Sequence, residues 1–337
     1  MILTLKKGVT EEQIKDIENT AREFGFSPEV SRGEEKTIVL IKGENAILTR
    51  EKFEAFNAVD FITQISEPFK LVSKKWQDKS VIDVGGIKIG GEKIVFMAGP
   101  CSIENMVTTM KTAEAVKEAG HTGFFRGGAF KPRTSPYSFQ GMGEEGLKIL
   151  KEISSKTGMK TVTEAMDVRQ VELVEKYADI IQVGARNMQN FELLKECGKA
   201  RIPVLLKRGF SNTLTEFLMS AEYIAAEGNK EIILCERGIR TFSDFTRFTL
   251  DVSAIPVLKA HSHLPVIVDP SHPAGKREYV EPLSLASAAA GADGLLIEVH
   301  INPEKSTSDG AQTVSPAQYA EIVRKTGKIA AALGRGI

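Results

Sequence analysis

From Lys93 onward, short β-branched apolar runs alternate with segments of helical spacing. The runs are "KIVFMAG", "TGFFRGG", "KTVTEA", "DIIQVGA", "IPVLLKRG", "KEIILCERG", "LPVIVDPSH" and "DGLLIEVH", eight in all. They recur at roughly 20–40 residues, as β/α units do. The intervening segments read as amphipathic helices. In "TLTEFLMSAEYIAAEG" the apolar residues Leu214, Phe217, Leu218 and Ala221 share one face. Two architectures accept this pattern, an open doubly wound sheet and a closed (β/α)8 barrel. Eight runs of similar length, with no Gly-rich dinucleotide fingerprint, favour the barrel.

The chain before these runs follows a different rule. "MILTLKK" reads as a strand, and Thr10 as the cap of a helix, "EEQIKDIENTAREFG", with Ile14, Ile17, Ala21 and Phe24 on one face. "FSPEVSRGEEKTIVLIKG" holds two strands, "TREKFEAFN" a helix and "VDFITQI" a last strand. The order β-α-β-β-α-β is the split ferredoxin-like unit. The expected organisation is therefore a small α+β unit over residues 1–66, a polar linker over 67–79 and an α/β (β/α)8 barrel over 80–337. "VIDVGGIKIGGEK" reads as a hairpin ahead of the barrel.

What the barrel does is written at the strand ends. In such a barrel these ends converge on one mouth, where the active site lies. The runs deliver, in order, Cys101, Arg126, Glu164, Arg186, Lys207, Arg237, His272 and Glu298, and the second leads into a loop with Lys131 and Arg133. Arg126, Lys131, Arg133, Arg186, Lys207 and Arg237 make a cationic group. Such a group suits a substrate, or two, bearing phosphate or carboxylate. Cys101, His272, Glu298 and Asp309 offer thiolate, imidazole and carboxylates, donors that suit a divalent transition metal. Taken singly, each has an ordinary explanation. A lone Cys is usually a buried hydrophobe, "SDG" is a turn, and loop Arg and Lys are solvated. Eight polar residues in phase are not explained that way. Cys197 and Cys235 read as structural, and His121, His261 and His263 as surface or satisfied core residues. His300 shares the strand parity of Glu298, which leaves its direction open.

Lys plus Arg equals Asp plus Glu at 44 each, which gives no footprint for nucleic acid or an anionic membrane. Three cysteines argue against a disulfide scaffold. With no secretory leader and no long apolar run, the expected location is the cytoplasm.

Together "AGPCSIE", "RGGAFKPRTSPYSFQG", "GAR", "LLKRG", "CERG", "VDPSH", "IEVH" and "SDGAQ" resemble 3-deoxy-D-arabino-heptulosonate 7-phosphate (DAHP) synthase of the type I β subgroup, from about Val81 onward. The resemblance implies a (β/α)8 barrel and a metal-dependent enzyme. It would join phosphoenolpyruvate to erythrose 4-phosphate with release of phosphate, the entry step of aromatic biosynthesis. It implies metal ligation by Cys101, His272, Glu298 and Asp309, with Mn2+, Fe2+, Zn2+, Co2+ or Cd2+ all plausible. Phosphoenolpyruvate would be held by Arg126, Lys131, Arg186 beside Ala185, Lys207 and Arg237, with Glu164 nearby. Arg133 and Thr134 of "KPRT" would grip erythrose 4-phosphate. The catalytic set would be Lys131, Glu164 and His272, Lys131 or a metal-bound water protonating the new alkoxide and Glu164 or a metal-bound water activating the attacking water. The N-terminal extension implies feedback inhibition by phenylalanine or tyrosine, and a homo-oligomer, a tetramer being expected. Three rivals stand beside this reading. They are a 3-deoxy-D-manno-octulosonate 8-phosphate synthase using arabinose 5-phosphate, a Schiff-base aldolase with Lys207 as nucleophile, and a phosphate-ligand sensor without turnover.

Overall fold

The computed structural model describes residues 1–33, 36–43, 46–63, 67–132 and 135–337. The chain divides into two units, Met1–Lys70 and Leu71–Ile337.

In the first unit β1 (Ile2–Leu5), α1 (Glu11–Glu23), β2 (Ser27–Arg32), β3 (Thr37–Lys42), α2 (Arg50–Glu54) and β4 (Val59–Thr63) follow in the expected ferredoxin-like order. The strands lie β2-β3-β1-β4, with every pairing antiparallel. α1 begins on a capping box. The Thr10 hydroxyl accepts the Gln13 N–H at 3.3 Å, and the Gln13 side chain accepts the Thr10 N–H at 3.0 Å. Ile14, Ile17 and Ala21 are buried against Leu3, Leu5, Val39, Ile41 and Phe53. Each fully buried large side chain there contributes roughly 1.5–3 kcal/mol. Phe24 departs from the expected face. It stands at the C-cap, 44% exposed, stacked on Phe26 instead of entering the core.

In the second unit β5 (Ile82–Val84) and β6 (Ile87–Ile89) form the expected hairpin. Next come β7 (Val95–Gly99), β8 (Thr122–Arg126), β9 (Lys160–Ala165), β10 (Ile180–Val183), β11 (Val204–Lys207), β12 (Ile232–Glu236), β13 (Val266–Val268) and β14 (Gly294–Glu298). These eight pair in parallel, each with its neighbours in sequence, and β14 closes on β7. Ile82, Val84 and Ile89 of the hairpin join a single cluster with Val95, Phe124, Val162, Ile180, Leu205, Ile233 and Ile267 of the strands. The hairpin thus plugs the N-terminal end of the barrel and leaves the other end for chemistry. Helix Leu214–Ala226 starts on a Thr213–Glu216 capping box and buries Phe217, Leu218 and Ala221, while Leu214 is half-buried.

The segment expected as a linker straddles the boundary between the units. From Leu71 it is held to the barrel unit. Glu222 accepts the N–H groups of Leu71 and Val72 at 2.9 and 3.0 Å. The buried His263 ring bonds Ser80 Oγ and the Leu71 carbonyl, both at 2.8 Å, as a satisfied core histidine does.

Candidate active site

The C-terminal strand ends surround a cavity of about 320 Å³. Arg126, Lys131, Ala185, Arg186, Lys207 and Arg237 line it, together with Glu164, His272 and Asp309, all expected from the sequence. Arg133 and Thr134 lie outside the described residues. Close packing at the strand ends depends on two glycines. A Cβ on Gly99 would stand 2.2 Å from the Arg126 carbonyl oxygen, and one on Gly184 would stand 2.1 Å from Glu164 Oε1.

One side of the site is a cluster of metal-capable donors. The ligand atoms of Cys101, Glu298 and Asp309 lie within 4.8 Å of one another. The Cys101 thiol donates to Asp309 Oδ2 at 3.1 Å. Lys131 Nζ donates to the Cys101 carbonyl and sulfur, both at 3.0 Å. Burial, then the nearby Glu298, pushes the Cys101 thiol up to about 12. Glu298 is fully buried. Its Oε1 meets Arg126 at 3.3 Å, and its Oε2 accepts the Gln312 amide at 2.7 Å. His272 donates Nδ1–H to Asp269 at 2.6 Å, and its Nε2 lies 3.5 Å from Glu298 Oε1. The structure therefore draws Cys101, Glu298 and Asp309 into one cluster, with His272 approaching from the Glu298 side. Sulfur, imidazole nitrogen and carboxylate oxygen together fit a divalent transition metal. Asp309 adopts the left-handed backbone region at φ 52°, which Asp tolerates better than most residues and which turns its carboxylate toward Cys101.

The other side is cationic. Lys207 is paired with Asp269 in the buried interior, and Arg126 with Glu298. These pairs answer part of the mutual repulsion of the cations. Burial holds the Arg237 guanidinium below its ordinary value. Glu164 accepts from Gln182 at Oε2, 3.0 Å away, while its buried Oε1 has no hydrogen-bond partner among the described residues. A buried, unsatisfied carboxylate oxygen on the cavity wall is where a substrate or water proton is needed.

Several residues escaped the sequence reading. Phe210 and Phe248 stack at 5.1 Å with rings 7° apart. Arg237 lies over both, at 4.9 and 4.3 Å, with Arg186 and Arg240 over Phe210 and Arg247 over Phe248. Arg247 also bonds Asp309 Oδ1 at 3.0 Å and Gln312 at 3.2 Å. Asp269 and Gln312 were within reach, since both sit in the quoted runs "VDPSH" and "SDGAQ". The aromatic pair carried no local signal. His300 does not line the cavity. It is buried, its Nδ1 accepts the Asn302 N–H at 2.9 Å, and its Nε2 faces Glu104 at 3.5 Å.

Residues 71–332 match the DAHP synthetase I family, and residues 1–67 match the DAHP synthase ferredoxin-like domain. The chain is 49% identical over 335 residues to phospho-2-dehydro-3-deoxyheptonate aldolase of Thermotoga maritima, covering 99% of both. It is 33% identical over 263 residues to a 2-dehydro-3-deoxyphosphooctonate aldolase of Geobacter sulfurreducens, covering 72% of this chain and 95% of that one. The crystal structure of the Thermotoga maritima phospho-2-dehydro-3-deoxyheptonate aldolase (DAHP synthase) superposes with a TM-score of 0.95 at 48% identity, covering 99% of this chain and 98% of that one.

Proposed function

The chain belongs to the DAHP synthetase I family, and from that premise we propose how its barrel mouth works and how it is controlled. It is a carbon–carbon bond-forming DAHP synthase acting at the first step of the shikimate pathway. Its substrates are phosphoenolpyruvate, erythrose 4-phosphate and water, and its products DAHP and phosphate.

The observation that carries the residue-level reading is the meeting, at one cavity, of Arg126, Lys131, Arg186, Lys207, Arg237 and Arg247 with Asp309, a member of the metal-capable cluster. Arg126, Lys131, Arg186, Lys207 and Arg237 hold the phosphate and carboxylate of phosphoenolpyruvate, beside Ala185. Arg133 and Thr134 take the phosphate of the four-carbon sugar. Cys101, His272, Glu298 and Asp309 hold a divalent ion, which when bound supplies Lewis-acid polarisation of the aldehyde. Carbon 3 of phosphoenolpyruvate then bonds to the aldehyde carbon, and Lys131 Nζ gives a proton to the new alkoxide. Carbon 2 becomes cationic and takes up water, whose proton passes to Glu164 Oε1, and the phosphohemiketal expels phosphate. Lys207 Nζ is engaged by the buried Asp269 carboxylate, and that contact disfavours it as a free Schiff-base nucleophile.

The first unit binds phenylalanine or tyrosine and transmits inhibition, and the enzyme works as a homotetramer in the cytoplasm. No helix among the described residues is long and apolar enough to cross a membrane.

The direct test measures phosphate release from phosphoenolpyruvate with erythrose 4-phosphate and, in parallel, with arabinose 5-phosphate, before and after chelation and return of metal. Turnover with the four-carbon sugar alone, lost on chelation and restored by metal, is the expected result. Turnover that survives chelation overturns the metal reading, and turnover with arabinose 5-phosphate alone overturns the substrate assignment.

A further inference from the structure

Asp269 stands between the two halves of the site. It directly follows β13 and is fully buried. One oxygen, Oδ2, is shared by Lys207 Nζ and by His272 Nδ1. The other, Oδ1, accepts the backbone N–H of His272 at 3.1 Å, which holds the carboxylate in orientation. Lys207 and His272 both line the cavity, and His272 turns Nε2 toward Glu298 and the metal-capable cluster.

We propose that Asp269 is a positioning residue that couples anion binding in the cavity to metal binding at the cluster, because a single carboxylate oxygen serves the key group of each. This rests on the reading above that the mouth takes a divalent ion and phosphoenolpyruvate. The coupling follows from competition for one acceptor. An anion in the cavity draws the Lys207 ammonium toward itself. Asp269 then bonds more fully to His272, holding Nδ1 as the donor and Nε2 as a lone pair aimed at the metal. In the other direction, a metal on Nε2 makes Nδ1–H a stronger donor. That holds Asp269 to His272 and frees Lys207 for the anion. Linkage requires the two effects to be equal in size.

A residue that merely held the loop together would behave differently. Its loss would weaken one or both ligands and leave the factor by which each tightens the other unchanged. That factor is therefore the readout. Co2+ is titrated calorimetrically into the full-length apoprotein, with and without saturating phosphoenolpyruvate, and the Cys101 thiolate-to-cobalt absorption band is followed in parallel. In the wild type phosphoenolpyruvate tightens Co2+ by about tenfold. Asp269→Asn binds Co2+ about 10–100-fold more weakly, and phosphoenolpyruvate tightens it by less than about twofold. Lys207→Met removes the competitor and keeps the carboxylate. It binds Co2+ more tightly than the wild type without phosphoenolpyruvate, and phosphoenolpyruvate, shown by its own calorimetric titration to saturate the variant, adds nothing further. This second variant decides the matter should Asp269→Asn fail to fold. A wild-type-sized coupling factor in either variant overturns the inference. So does a wild type that binds both ligands independently, and the functional reading then still stands. A wild type that binds no Co2+, or no phosphoenolpyruvate, overturns both.

Discussion

Two buried positions show how little slack surrounds the chemistry. Gly184 has an ordinary negative φ, so any residue fits its backbone, yet a Cβ there would press on Glu164 Oε1. Gly184→Ala is therefore a steric probe of Glu164 alone. Displacing a reacting group by about 1 Å costs on the order of 10²-fold in rate. The expected result is a kcat lowered by about that much, with a thermal midpoint close to the wild type. A kcat within twofold of the wild type would remove Glu164 from the mechanism. Arg208 makes the opposite case. It is buried, donates to Glu236 at 2.9 Å and to Asp251 at 2.8 Å, and does not line the cavity. Glu236 is fully buried, so Arg208→Met strands a carboxylate in the interior. That costs about 3–5 kcal/mol, read as a lower denaturation midpoint in urea. Arg208 and Lys207 are neighbours in sequence with the same type of charge. Nothing in "LLKRG" tells which one faces the substrates and which one ties down the loops. Only the partners that the fold brings up decide it.

At the scale of elements, the strands were legible because each is mostly buried and carries β-branched or other apolar residues, and their polar ends fell in phase. The hairpin was legible as a hairpin. Its task as the plug of the barrel floor was not, since that depends on its joining one cluster with residues of all eight barrel strands. Ile89→Ala empties part of that floor and is expected to cost about 2–5 kcal/mol of stability, with KM unchanged because the mouth lies at the far end. The Phe210–Phe248 stack was illegible for a related reason. Each ring belongs to a different irregular loop, and their meeting is a product of barrel closure. Its expected role is to hold guanidiniums in place. Phe248→Ala takes away the ring lying 4.3 Å from Arg237. A desolvated cation–π contact is worth up to about 2 kcal/mol, or roughly 30-fold. The KM for phosphoenolpyruvate should rise by several-fold to about that limit, with kcat much less affected. A selective loss of kcat would instead assign the aromatic pair to the transition state.

At the scale of the whole molecule, the sequence divides into two patterns and the structure into two units, each with a hydrophobic cluster of its own. Among the described residues, every one lining the candidate cavity falls after Leu71, in the second unit. Catalysis and control are therefore separable in principle. The segment after Lys70 is tied to the barrel unit by Glu222, Ser262 and His263, so a cut between Lys70 and Leu71 leaves those bonds within one piece. A chain of residues 71–337 is expected to fold, to release phosphate from phosphoenolpyruvate with erythrose 4-phosphate, and to stop on chelation as the full chain does. The full chain is expected to be inhibited by phenylalanine or tyrosine, and the shortened chain to ignore both. An effector that acts from the first unit must favour one state of the barrel over another, typically by 1–3 kcal/mol, so inhibition of about 5–150-fold in affinity is the expected range. Inhibition that persists in the shortened chain would move the effector site into the barrel. Indifference of the full chain to both amino acids would leave the first unit with a structural task only.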